Sequence, residues 1–257
     1  MIARIVGSAI WHAYVSSRPL FELADVIGIS SQCAGVVAKT HCWNTAFHLT
    51  TLQIEQLSSC LTRMIQNDWL ADWAPQSGST VYVASDASDL IGAWVVLKSA
   101  TSRGVSVHWP ELKDTHIFVK ELRAAVNAIK ANAPTNGTLV LAIDNTAAAH
   151  VLRSFYSSTS IGQSLAQEAY EHLRSKGCRL VVAGLPGLDN YADAPTKNEE
   201  WCSERLKKTW TALEAALEGR ERHDITSTRR SSSHEDDEAD QLMEELKALR
   251  ASTMLEG

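Results

Sequence analysis

Thr80-Val81-Tyr82-Val83-Ala84-Ser85-Asp86-Ala87-Ser88 is an apolar run that ends on an aspartate, and a second strand-like run, residues 91–97, follows after a short polar turn. Both runs read as strands, and residues 104–109 alternate as a third, so the three read as an antiparallel meander. A strand that finishes on a carboxylate is a place to hold a metal ion. Pro110 ends the meander.

Outward from that meander, residues 116–132 put Phe118, Leu122, Val126 and Ile129 on one helical face, with Glu121 beside the stripe. Pro134 and Gly137 stop this helix. Residues 138–143 are wholly apolar, the pattern of a strand buried on both faces, and this strand also ends on a carboxylate, Asp144. Residues 145–155 and 162–176 read as two helices joined by a short Ser/Thr linker, with Gly177 as C-cap and residues 179–183 as a fifth strand. The loop 184–191 leads into Ala192-Asp193-Ala194-Pro195-Thr196-Lys197, where Pro195 suits a first helical turn. A last helix is expected from there to about Glu218.

A right-handed crossover from the meander through the 116–132 helix most simply lays the Asp144 strand parallel to the Asp86 strand, on its free edge. Neighbouring strands lie about 4.8 Å apart. The two aspartates then share one volume, at the strand edge where open α/β sheets place ligands. Carboxylates that close repel, and one is forced to keep its proton. Divalent cations remove that conflict, and a hard, oxygen-only donor set selects magnesium or manganese over zinc. Two such ions about 3.5 to 4 Å apart can activate a water and stabilise the leaving oxygen of a phosphodiester. Taken singly, Glu121 and Asp193 read as solvated helix residues, and Asp86 and Asp144 as ordinary turn residues. Four acids, each at the expected place on its own element, outweigh those separate readings.

The runs V-Y-V-A-S-D-A-S, K-E-L-R-A-A, L-A-I-D-N-T-A-A-A and G-L-P-G-L-D-N-Y-A-D-A-P-T-K make residues 79–217 similar to an RNase H domain of retroelement reverse transcriptases. The last run resembles the P-G-x-x-N-x-x-A-D-x-x-S/T-R/K signature of gypsy-type and DIRS-like retrotransposons and is the most specific piece. The resemblance implies an α/β fold, a mixed five-stranded sheet flanked by helices. It also implies two-metal cleavage, with two Mg²⁺ (or Mn²⁺) ions, of the RNA strand of an RNA/DNA hybrid, leaving a 3′-hydroxyl and a 5′-phosphate. Carried over by motif, Asp86 bridges both metals, Asp193 completes the nucleophile-side ion, and Glu121 and Asp144 serve the leaving-group side. Ser88 and Asn145, next to two of the ligands, are candidates either for substrate binding, at the hybrid's backbone or 2′-hydroxyls, or for simple turn capping.

Three departures stand beside the resemblance. Residues 184–191 contain no histidine, where many RNases H carry one thought to help product release. The linker between the two middle helices is too short for a basic handle. No Tyr-x-Asp-Asp polymerase motif occurs, so a polymerase domain is expected as a separate partner or as a part missing from this chain. Residues 1–78, read as helical, more loosely resemble the region that connects polymerase to RNase H, so the chain reads as the carboxy-terminal part of a retroelement polyprotein.

Within that N-terminal part, Ile5, Ile10, Trp11 and Val15 form one apolar segment, interrupted at Arg18-Pro19, and residues 20–29 follow with mixed periodicity. Residues 51–70 give a cleaner stripe of Leu52, Leu57, Leu61, Met64 and Ile65, with Thr50 or Thr51 as N-cap. Trp69 and Trp73 read as core anchors. Cys33, His41, Cys42 and His48 lack the close pairs of a structural zinc site, so scattered residues are the better account.

Composition bounds these readings. The 257 residues are 45% hydrophobic and 21% charged, ordinary for a globular protein, and carry a net charge of −6. From Glu218 onward there are 11 acidic and 6 basic residues, a charge of −5, which leaves −1 for the body. A near-neutral body argues against strong autonomous nucleic-acid binding, which rests on Lys and Arg neutralising phosphates. Five dispersed cysteines suit a reducing compartment, so an intracellular location, cytoplasmic or nuclear, is expected. No uncharged apolar stretch approaches the roughly 18 residues of a membrane span, and no membrane partner is expected. Residues 219–257 read as a disordered acidic tail whose Ala239, Leu242, Leu246 and Leu249 fit about two heptads of a short helix.

Two other readings remain open on sequence. An RNase H-fold transposase or integrase would draw its glutamate from Glu168 or Glu171. A domesticated remnant would act as a scaffold or binding module.

Overall fold

The opening stretch forms strand β1 (Thr80–Ala87), exposed at Thr80 and buried without interruption from Val83 to Ala87, in a computed structural model that describes residues 2–15, 19–42, 47–65, 78–98, 101–108 and 114–228. The other strands are β2 (Ile91–Lys98), β3 (Thr101–His108), β4 (Thr138–Ile143) and β5 (Arg179–Gly184). They make one sheet ordered β3-β2-β1-β4-β5. β1 pairs antiparallel with β2, Asp86 standing opposite Ala93, and β2 pairs antiparallel with β3. On its other side β1 runs parallel to β4, with Val83 opposite Leu141, and β4 runs parallel to β5. The meander and the parallel crossover are both present, and Trp109 lies outside the described residues.

The chain divides into two units, Met1–Asp72 with Thr226–Gly257, and Trp73–Ile225. The first contains α1 (Ile2–Val15), a 3-10 turn at Leu20–Leu23, α2 (Ala24–Thr40) and α3 (Thr51–Ile65). Ile5, Val6 and Ala9 of α1 pack with Leu23, Val26, Ile29, Leu57 and Leu61. Leu52 was expected in this core but is 63% exposed, while Ile54 is 4% exposed. The buried positions 54, 57 and 61 fall on one 3.6-residue face with Cys60, which packs as a small hydrophobe. The Thr50 backbone N–H donates to Gln53 Oε1 at 2.9 Å and the Gln53 N–H donates to Thr50 Oγ1 at 3.2 Å, a reciprocal cap that starts α3. Leu20–Thr40 is long and apolar enough by length and composition to cross a membrane, with 17% of that window buried. It includes Glu22 and Asp25, which set it apart from the uncharged span sought in the sequence. His41, Cys42 and His48 are exposed, and these residues with Cys33 form no ligand group among the described residues. Trp69, Trp73 and the side chains of Met64 and Ile65 lie outside them.

In the second unit the sheet is covered on both faces. α4 (Ile117–Asn132), α5 (Thr146–Ser154) and α6 (Ser160–Lys176) bring Leu122, Val126, Ile129, Leu152, Leu165 and Leu173 onto Val83, Leu139 and Leu141. The alternate strand residues, Ala84, Val95, Val140, Ala142 and Val181, face the other way and meet Tyr191 and Leu213. Side chains cap the three helices: His116 Nδ1, Asn145 Oδ1 and Thr159 Oγ1 accept from Phe118, Ala148 and Gly162 N–H groups. Gly177 closes α6 at φ 58°, where a side chain would be strained.

The single last helix expected from the sequence is two, α7 (Asp193–Lys197) and α8 (Ser203–Thr228). Asn198 in the left-handed region, at φ 55°, separates them. α8 also runs ten residues past Glu218, into the stretch read as a disordered tail. Arg and Glu are good helix formers, and extending an established helix costs far less than nucleating one. The two heptads of the tail lie outside the described residues.

Candidate metal centre

Asp86 sits one residue before the end of β1, and Asp144 directly follows β4, so the parallel pairing brings both acids to one edge of the sheet. Glu121 lies in the second turn of α4, the helix that crosses between them. One carboxylate oxygen from each of Asp86, Glu121 and Asp144 lies within 4.8 Å of the others. Asp86 and Glu121 are 3% and 5% exposed, and Asp144 is half-buried. Asp193, at the first residue of α7, is 2% exposed but stands outside this trio. Its charge nevertheless acts on all three.

Burial and like charge penalise ionisation here. Glu121 is pushed up to about 9, by burial first and then by Asp86 and Asp144. Asp86 is raised to about 7 by burial, opposed by a hydrogen bond from Thr196 and then raised further by Asp144 and Asp193. Burial is also the largest cause raising Asp144. Glu121 Oε2 is buried with no hydrogen-bond partner among the described residues. A carboxylate oxygen left so is costly unless a ligand meets it. All the donors are oxygens, which fits a hard divalent cation better than zinc.

The loop before α7 is stitched to this edge. Asn190, fully buried, donates from Nδ2 to the Ser85 carbonyl at 2.9 Å, and its Oδ1 accepts from the Ala192 N–H at 3.1 Å. The Thr196 hydroxyl meets Asp86 Oδ2 and lies 3.0 Å from the Asp193 carbonyl. Thr209 Oγ1 accepts from the Tyr191 N–H at 3.0 Å and donates to the Asp189 carbonyl at 2.7 Å, tying the loop to α8. A Cβ on Gly187 would stand 3.0 Å from Asp144 Oδ2, so only glycine lets this turn lie against that carboxylate at full ease. Asp193 is held by Lys197 Nζ at 2.7 Å and by Arg205 Nη1 at 3.1 Å.

Three of the four acids named from sequence therefore converge, and the fourth stands alongside in ion pairs. Ser88 closes the β1–β2 turn, its N–H donating to the Ile91 carbonyl at 2.8 Å, and Asn145 caps α5 at 3.0 Å. Glu168 pairs with Lys130 at 2.6 Å and Arg123 at 3.5 Å, and Glu171 accepts from Gln167 at 2.9 Å, so neither belongs to the carboxylate trio. Sequence reasoning assigned no role to Asn190, Thr196 or Lys197, although all three stand inside the quoted motif. Arg205 had no signal, because it follows the break at Asn198.

No family model matches the chain, and no curated protein matches it in sequence. Among solved structures it is similar to the RNase H1 of the halophilic archaeon Halobacterium salinarum NRC-1. That likeness has a TM-score of 0.36 at 16% identity and covers 50% of this chain and 98% of that one.

Proposed function

We propose that residues 79–218 form a metal-dependent ribonuclease H that cuts the RNA strand of an RNA/DNA hybrid, within a retroelement reverse transcriptase. The observation that carries this reading is the buried, unpartnered Glu121 Oε2 beside Asp86 and Asp144. Three carboxylates gathered at a sheet edge and held partly protonated form a site suited to a divalent cation rather than to packing. The retroelement context is carried by the resemblance of the last motif alone; the contacts of its Asn190, Asp193 and Thr196 bear on the site, which they face or support. Magnesium or manganese ions, two in the reading implied by the motifs, would supply Lewis acidity that activates water and stabilises the leaving oxygen of a phosphodiester.

The chain's own residues have separable tasks in this reading. Asp86, Glu121 and Asp144 hold the cations, with Asp193 completing the set. Thr196 orients the Asp86 carboxylate, and Asn190 keeps the 187–193 loop against β1. Ser88 and Asn145 border the site and are proposed to reach the hybrid only with the backbone groups and edges their capping leaves free. An intracellular location, cytoplasmic or nuclear, is part of this proposal, and the five dispersed cysteines that suggested it form no disulfide among the described residues. Cleavage of a labelled hybrid in Mg²⁺ or Mn²⁺, with single-stranded RNA and duplex DNA spared, is the expected result. Cleavage that survives Asp86→Asn would sink the assignment.

A further inference from the structure

Asp193 differs from the other three acids in that both of its oxygens already carry a cation of the chain itself. Arg205 Nη1 lies 3.1 Å from Oδ2 and also 3.0 Å from Glu199 Oε2, with its side chain 19% exposed. It is held from two sides. Lys197 Nζ lies 2.7 Å from Oδ1 on a side chain that is 51% exposed, one helical turn away on α7. Asp193 is its ion-pair partner among the described residues, and its charge also acts on Asp86. The two cations are therefore unequal. The guanidinium is a planar, doubly anchored fixture, whereas the ammonium is a compact charge on a flexible stem with solvent beside it.

We propose that Lys197 is a tethered cation that competes with divalent metal for Asp193 Oδ1 and, once displaced, moves outward to bind a phosphate of the nucleic-acid substrate. This rests on the metal-dependent nuclease reading above. A divalent ion brings twice the charge to the same oxygen, and loss of a half-exposed ion pair is a small penalty against that gain. The released ammonium stays tethered next to Asp193 by its flexible four-carbon stem, with solvent beside it. Nucleic-acid phosphates and divalent ions would then favour one another's binding, because each removes the lysine from the other's way or gives it a place to go. Arg205 stays on Oδ2 throughout and keeps the carboxylate oriented.

The test is calorimetric titration of the full chain with Mn²⁺ in the absence of nucleic acid, comparing the unaltered protein with Lys197→Met and Lys197→Gln. Either variant should tighten Mn²⁺ binding by about two- to fivefold, the range of a partly exposed ion pair. Equal or weaker Mn²⁺ affinity in both variants overturns the competition while leaving the metal-site reading intact. Absence of Mn²⁺ binding in every protein overturns both. In Ca²⁺, fluorescence anisotropy with an RNA/DNA hybrid should show weaker binding by Lys197→Met, with a salt slope reduced by about 1. An unchanged slope overturns the phosphate contact.

Discussion

The two ends of the β1–β4 pair follow opposite rules. At the end where both strands begin, Thr138 N–H donates to the Ser79 carbonyl at 3.1 Å, Arg179 N–H to Gly137 at 2.9 Å and Asn136 N–H to Lys176 at 2.8 Å. The chains approach so closely there that a Cβ on Gly78 would stand 1.8 Å from the Asn136 carbonyl oxygen, and one on Gly137 2.3 Å from that of Ser79. At the other end the same strands deliver Asp86 and Asp144 to Glu121, whose Oε2 has no partner among the described residues. One end satisfies its backbone and fills its space, and the other concentrates charge that the fold alone cannot neutralise. Local rules are obeyed where the sheet needs stability and broken at the carboxylates proposed to hold a metal.

That contrast can be broken most severely at the carboxylate end. Asp86→Asn should lower hybrid cleavage by about a thousandfold or more, as expected when several kcal/mol of metal-assisted stabilisation is lost. Rate measurements at saturating Mg²⁺ would show it, and circular dichroism should show an intact fold. At the opposite end, Gly78→Ala should cost about 1 to 3 kcal/mol of stability by overpacking, read from urea denaturation. Mn²⁺ affinity should be unaltered in that variant, since the change lies at the far end of the strands.

Glu121→Gln reverses the sign. Replacing an acid that folding forces to keep its proton should stabilise the metal-free protein by about 1 to 2 kcal/mol while abolishing cleavage, a trade of function against stability. A destabilised Glu121→Gln variant would mean that the acid end is not under electrostatic strain. The same carboxylates also set a pH trend. Folded Glu121 and Asp86 ionise near about 9 and about 7, well above the ordinary carboxylate values of about 4 in the unfolded chain. The folded state binds more protons through that window, so the metal-free melting temperature should fall as pH rises from about 5 to about 9. Saturating Mn²⁺ should flatten the trend, and a trend that Mn²⁺ leaves untouched would place the ion elsewhere.

Much of this arrangement is legible in the residues because it depends on short-range periodicity. Asp86 and Asp144 were identifiable as strand ends, since an apolar run closing on a carboxylate needs no tertiary information to be seen. Glu121 was identifiable beside its helical stripe for the same reason. The errors fell where two local patterns compete. Leu52 fits the α3 stripe almost as well as Ile54, yet Ile54 is buried and Leu52 exposed, a choice made by packing and not by spacing. Asn198 is compatible with a continuing helix, yet its tolerance of the left-handed region allows the turn that separates α7 from α8. The charged stretch after Glu218 reads as disordered by composition and as helix by propensity, and α8 follows propensity as far as Thr228.

By itself the sequence determined the five strands, the crossover helix and the acids they carry, because alternation, the 3.6-residue repeat and turn residues act over a few positions. Only the tertiary structure decided how those acids divide. Asp86, Glu121 and Asp144 share one small volume, while Asp193 stands apart with Lys197 on one oxygen and Arg205 on the other. The Asp193–Arg205 pair spans the Asn198 break, and its distance follows from how α8 packs on the sheet through Leu213 and how Thr209 ties α8 to the loop. No pattern along the chain encodes that distance.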